Sequence, residues 1–196
     1  MIVVGLTGNL SSGKSEAAKV LKKMGAKIID ADQIARKLTA KGAPVYKAVV
    51  KIFGEDFLTK KKDLDRRKLA LRVFWHPKEL RKLQILIHPG VILEAYKVIE
   101  KEKDRKGVLV LDVPLLFESR MEKMVDLTVV VTAPNETMLA RAQKKGVPRS
   151  LAEKILASQW PLSKKEKLAD FVIENNGTLV GLAARVKKIY NELKKV

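Results

Sequence analysis

Eight residues near the start of the chain, Gly8-Asn9-Leu10-Ser11-Ser12-Gly13-Lys14-Ser15, have the types and spacing needed to hold phosphate. They fit G-x-x-x-x-G-K-[ST]. The glycines let the backbone curl so that its N–H groups face an anion, and the lysine and hydroxyl follow at once. On this reading Gly8, Ser11, Ser12, Gly13, Lys14, Ser15 and Glu16 surround the phosphates of a nucleotide. Lys14 reaches the β- and γ-phosphates, and the Ser15 hydroxyl ligates Mg²⁺. An ordinary glycine turn would account for Gly8 and Gly13 but not for Lys14-Ser15 beside them.

Three carboxylates and one arginine could act on such a nucleotide. Asp30 and Asp32 stand at the carboxyl end of the short strand expected at Lys27 to Ile29. Ligands gather at that end of open α/β sheets. Asp32 is the candidate base for an attacking hydroxyl, and Asp30 is read as a Mg²⁺-water or structural group. Capping of the following helix is the plain alternative for either. Asp112 ends the apolar run at 108–113 and could hold Mg²⁺ through water, or could be a turn residue ahead of Pro114. Arg141 lies in a helical stretch with Lys144, Lys145 and Arg149 nearby. It could neutralise charge on a transferring phosphoryl group, or belong to a solvated basic face. A guanine-selective N-K-x-D is absent, and the D-x-x-G at 104–107 precedes a strand instead of following one, so no GTPase is read here.

These groups need a scaffold. Strand-like, mostly apolar runs at 2–6, 27–29, 108–113, 127–131 and 171–173 alternate with helical stretches, the first at 15–24 and the last at about 178–194. Such alternation predicts an α/β fold with a parallel sheet. Gly25 is a natural stop for the first helix. Residues 44–105 carry helical periodicity and no clear strand. Within them His88-Pro89 reads as a helix stop followed by proline opening the next helix. Residues 135–159 form a second helical excursion. The expected organisation is a nucleotide-binding core at 1–43, 106–134 and 160–196, an acceptor region at 44–105, and a lid at 135–159. The lid is basic, so without bound anions it is expected to stand open.

The composition narrows the class. The 196 residues suit one domain. Cysteine is absent and the only histidines are His76 and His88, which excludes a disulfide scaffold, a thiol nucleophile and a histidine-rich metal site. The net charge of +18 reads first as a lysine-rich solvated surface and second as affinity for phosphate-rich ligands. Few aromatics accompany the charge, so no nucleic-acid partner is expected. No apolar stretch reaches membrane-spanning length, and the N-terminal run is too short for a signal peptide; a cytoplasmic location with no membrane partner follows as an expectation.

Further matches run along the chain: Ile28-Ile29-Asp30-Ala31-Asp32, Leu64-Asp65-Arg66, Ile87-His88-Pro89 and Val113-Pro114-Leu115-Leu116-Phe117-Glu118. Gln159-Trp160-Pro161-Leu162 with Lys165, and residues 169–177, complete the series. With the glycine loop, and in this order, they resemble the dephospho-CoA kinase family. The resemblance implies a three-layer αβα P-loop kinase fold with a five-stranded parallel sheet, a helical CoA-binding region and a helical lid. It implies ATP with Mg²⁺, and transfer of the γ-phosphate to the ribose 3′-hydroxyl of dephospho-coenzyme A. It makes Asp32 the base and Arg141 the lid arginine, and puts Asn175 and Gly177 in a loop against the adenine. Arg66, His88 and Leu115 become acceptor contacts beside Asp32. A monomer or weak homo-oligomer is expected. The loop departs from the family's usual glycines at Asn9 and Ser11, Glu16 stands where threonine is common, and Lys145 stands near a second arginine of some members.

Overall fold

The computed structural model describes residues 1–194. It contains two compact units, one built from Met1–Asp30 with Lys97–Val196 and the other from Ala31–Tyr96.

The first unit holds the sheet. β1 (Ile2–Thr7), β2 (Lys27–Asp30), β3 (Val108–Asp112), β4 (Leu127–Thr132) and β5 (Phe171–Glu174) are ordered β2-β3-β1-β4-β5. Every pairing is parallel. Parallel strands are covered on both faces, which is why β3 is continuously apolar and wholly buried up to Asp112. On one face Val4, Leu6, Val110, Val129, Val131 and Ile173 pack against two helices. These are α1 (Lys14–Lys23), through Ala17, Ala18 and Leu21, and the C-terminal helix (Leu179–Leu193), through Leu182, Val186, Ile189 and Leu193. Each larger side chain buried there contributes roughly 1.5–3 kcal/mol. On the other face, a Cβ at Gly5 would lie 2.7 Å from Leu116 Cδ2, so the segment after β3 rests directly on the backbone of β1.

This order makes β1 the pivot. The chain leaves β1 for β2 at one edge, returns to β3 beside β1, and then crosses to β4 on its other side. In open parallel sheets ligands bind outside the carboxyl ends where the direction of winding changes, which here is beside β1. The registers Leu6↔Asp112 and Asp30↔Asp112 bring the ends of β1, β2 and β3 level with one another.

The second unit is helical. α2 (Ala31–Leu38) follows β2 without a loop and belongs to this unit, so the division falls thirteen residues ahead of the boundary read from the sequence at 43/44. α3 (Pro44–Phe53), α4 (Arg66–Trp75) and the start of α5 (Pro77–Glu102) enclose Val49, Leu64, Leu69 and Val73, with Phe53, Phe57, Phe74 and Leu83 packed against them. Asp65 caps α4, its Oδ1 accepting from Lys68 N at 2.9 Å.

One expectation fails here. His88-Pro89 does not end a helix: α5 is continuous and Pro89 lies inside it. Proline removes one backbone donor and crowds the carbonyl four residues back. That residue is Ile85, 64% exposed, where water can replace the lost partner. The next residue, Gly90, has its own reason, since a Cβ there would sit 2.9 Å from Leu38 Cδ1 of α2.

Candidate active site

The glycine loop leaves β1 and enters α1 through two left-handed residues, Ser11 at φ 57° and Gly13 at φ 108°. Ser12 N–H closes a turn onto Asn9 O at 3.0 Å. The first turn of α1 has no side-chain cap, so its N-terminal amides are aimed out of the helix, as a phosphate site requires. Both motif glycines are needed sterically. A Cβ at Gly8 would meet Ser12 Oγ at 2.5 Å and Val131 O at 2.6 Å, and one at Gly13 would meet Asn175 Nδ2 at 2.0 Å.

The cations of the site stand on the loop or at its edge. Lys14 is ion-paired with Asp112, and both side chains are largely buried. Arg141 comes from α6 (Asn135–Lys144), which follows β4. Its guanidinium donates to Asn175 O at 3.1 Å and to Ser12 O at 3.4 Å. Asn175, just beyond β5 and buried, donates from Nδ2 to the same Ser12 O at 2.7 Å. The structure therefore brings together Lys14, Asp112, Arg141, Asn175 and the loop around Ser12. Asn175 turns its amide inward onto the loop. The excursion at 135–159 packs beside the loop. Leu139, Ala142 and Ala152 form a buried cluster against which Leu10 of the loop packs. The basic charge is partly neutralised, with Arg149 bonded to both Glu136 and Glu153.

The donor set suits Mg²⁺-nucleotide. Hydroxyl and carboxylate oxygens at Ser15 and Asp112 are hard ligands, and Mg²⁺ in nucleotide sites needs only one or two of them beside the phosphates. Ser12 Oγ is buried without a hydrogen-bond partner in the protein.

Comparison with known proteins decides the family. The dephospho-CoA kinase family model matches residues 2–181. The chain belongs to the dephospho-CoA kinase family. Its relatives include the dephospho-CoA kinase of Carboxydothermus hydrogenoformans, 40% identical over 195 residues and covering 98% of this chain and 94% of that one. That of Aquifex aeolicus is 38% identical over 190 residues, covering 97% and 96%. Among solved structures, dephospho-CoA kinase from Campylobacter jejuni aligns with TM-score 0.68 at 28% identity over 98% of this chain and 97% of that chain. Shikimate kinase from Acinetobacter baumannii, at 15% identity, covers 100% and 94% with TM-score 0.55 and shares the P-loop kinase fold alone.

Other family positions lie in the helical unit. Asp32 is in the first turn of α2 and exposed; α2 begins at Ala31, so Asp32 is inside the helix and not its N-cap residue. Arg66 donates to Thr39 Oγ1 at 2.7 Å and Arg36 O at 3.1 Å. His88 is half-buried, and burial holds its imidazole below the ordinary histidine range. In the sheet unit, Leu115 is half-buried beside Pro114, Gly177 is exposed ahead of the last helix, and Glu16 pairs with Lys19 in α1.

Sequence reasoning left several residues of the site without a role. Asn9, one of the departures from glycine, donates from Nδ2 to Trp160 O at 3.1 Å. Gln159 Oε1 accepts from Leu10 N at 3.0 Å. Lys165, fully buried, pairs with Glu118 at 2.8 Å and donates to Pro114 O at 3.1 Å. Burial pushes the Lys165 ammonium below the ordinary lysine range; Glu118 opposes the push and Lys14 adds to it. The place of Lys165 in the motif with Gln159-Trp160-Pro161-Leu162 was the available signal, since the charged run at 164–167 gives no sign of burial.

Proposed function

We propose that this chain transfers the γ-phosphoryl group of ATP to the ribose 3′-hydroxyl of dephospho-coenzyme A, as a cytoplasmic monomer or weak homo-oligomer. Among the described residues no helix is long and apolar enough to cross a membrane. The bond between the γ-phosphorus and the bridging oxygen breaks, a bond to the 3′-oxygen forms, and the hydroxyl proton passes to Asp32. Lys14 leaves Asp112 for the phosphates and compensates the charge that develops there. Arg141 turns from the Ser12 and Asn175 carbonyls to the transferring group. Ser15 and Asp112 would hold Mg²⁺, which supplies further charge neutralisation. Arg66, His88 and Leu115 bind the acceptor, and the loop at Asn175 and Gly177 borders the adenine.

The observation that carries the reading is the meeting of Arg141 with the glycine loop beside the Lys14–Asp112 pair. One cation from the loop and one from a separate helix can compensate charge on a phosphoryl group from two sides. The test is ATP turnover with dephospho-CoA, followed by formation of the 3′-phosphate, with shikimate and nucleosides as alternative acceptors. Turnover with dephospho-CoA alone supports the assignment. Turnover only with another acceptor refutes it.

A further inference from the structure

Gln159, Trp160 and Lys165 have no part in the transfer chemistry above, yet they meet the glycine loop through one connected set of hydrogen bonds. We propose that Lys165 is a positioning residue for the nucleotide site, fixing residues 7–10 at the entry of the loop through Pro114, Glu118, Trp160 and Gln159. The proposal rests on the reading that this loop holds ATP.

Two routes run from the Lys165 ammonium. By the first, Lys165 Nζ donates to Pro114 O at 3.1 Å, and Thr7 Oγ1 donates to that same oxygen at 3.1 Å. Thr7 is the residue immediately before Gly8. By the second, Lys165 Nζ pairs with Glu118 Oε1 at 2.8 Å, and that oxygen also accepts Trp160 N–H at 2.9 Å. Trp160 O then accepts from Asn9 Nδ2 at 3.1 Å, and the adjacent Gln159 Oε1 accepts from Leu10 N at 3.0 Å. The routes end on Thr7, Asn9 and Leu10, on both sides of Gly8.

Stability alone does not explain the arrangement. A fully buried ammonium is costly to desolvate, and an apolar pair of the same volume is often at least as stable. What the ion pair supplies is direction. Glu118 Oε1 is held where Trp160 N–H must come, and the carbonyl and amide of the Gln159-Trp160 turn are then set against the loop. Lys165 has no accessible surface, so it acts on a ligand only through these partners. Gln159 also closes α7 (Arg149–Ser158), which places the anchor at the end of the excursion that packs on Leu10.

The experiment is calorimetric titration of ATP into the full chain and its Lys165→Met, Gln159→Ala and double variants, with KM measured for both substrates. Each single variant should weaken ATP binding about tenfold, the upper range for one well-placed hydrogen bond. The KM for dephospho-CoA should not move. The double variant should be no weaker than the worse single one, because both cut the same chain. Lost thermal stability with unchanged ATP affinity would mean a purely structural lysine and would overturn the proposal, as would strict additivity. If Lys165→Met does not fold, Gln159→Ala and Glu118→Gln carry the test, and unchanged ATP affinity in both overturns it. The wild-type titration separates the two readings: ATP binding without turnover of dephospho-CoA defeats the functional assignment and leaves this inference standing.

Discussion

Replacing Gly13 by alanine tests the loop's construction directly. Gly13 has φ 108°, and its new Cβ would lie 2.0 Å from Asn175 Nδ2. Backbone strain from a left-handed conformation costs roughly 1–2 kcal/mol. Asn175 must also retreat, which breaks its bond to Ser12 O and leaves its own buried amide unpaired at about 1–3 kcal/mol. The sum is roughly 2–5 kcal/mol, which for a chain of this size lowers Tm by roughly 5–20 °C. Asn175→Ala alone loses the same bond, about 1–3 kcal/mol, without the strain. In the double variant the clash is gone and the bond is lost only once. Its destabilisation should therefore fall short of the sum of the singles by about that one bond, 1–3 kcal/mol. Denaturation of the four proteins measures this, and ATP titration of the same samples reports how far the loop has moved. Strict additivity, or a Gly13→Ala protein as stable as wild type, would refute the packing of Asn175 under the loop.

Lys14→Ala should abolish turnover and weaken ATP binding, and near-normal turnover would remove the loop from the chemistry. Asp32→Asn keeps the shape and removes the proton acceptor, so kcat should fall by roughly 10²–10⁴ with ATP affinity unchanged; a kcat within a few-fold would leave Asp32 a first-turn helix residue only. Arg141→Ala should lower kcat more than ATP affinity, because its contact with the phosphoryl group strengthens in the transition state; a raised KM at constant kcat would make it a ground-state contact. His88 has a folded pKa below its ordinary value of 6.5, because burial disfavours the imidazolium. The unfolded chain therefore binds the extra proton first as pH falls. The stability contributed by neutral His88 is complete above pH 6.5 and declines below it until the folded state is protonated too. Denaturation between neutral and mildly acidic pH should show that decline in the wild type and a smaller one in His88→Gln.

Legibility followed from how local each cause was. All five strands stand where the apolar runs put them, extended by a residue at Thr7, Asp30, Thr132 and Glu174 and shortened by one at Val113. Buried parallel strands must be apolar throughout, and that pattern is readable without partners. The loop was legible for the same reason, since its steric demands fall on its own eight residues. Pro89 misled because local chemistry argues for a break there, while the helix continues through it with the carbonyl that loses its partner at an exposed residue, Ile85. The roles of Asn9, Gln159 and Lys165 were hidden because each partner is remote in sequence, Asn9 and Trp160 being 151 residues apart. The family motif displayed those residues without saying what they touch.

The basic charges of the excursion at 135–159 have partners that a count of charges does not show. Arg149 is held by two carboxylates from its own helices. Arg141 is held in a different way, by hydrogen bonds to carbonyl oxygens of the loop and of Asn175. Those carbonyls are neutral acceptors, so moving to an anionic phosphate would replace weaker hydrogen bonds by charge-assisted ones. The apolar contact with Leu10 meanwhile keeps α6 beside the loop whatever the ionic strength, since burial of apolar surface is not screened by salt. Electrostatics thus decides where the guanidinium points, and hydrophobic packing decides that the helix is there. Under the proposed function Arg141 then has only to change partners while the helix stays packed on the loop.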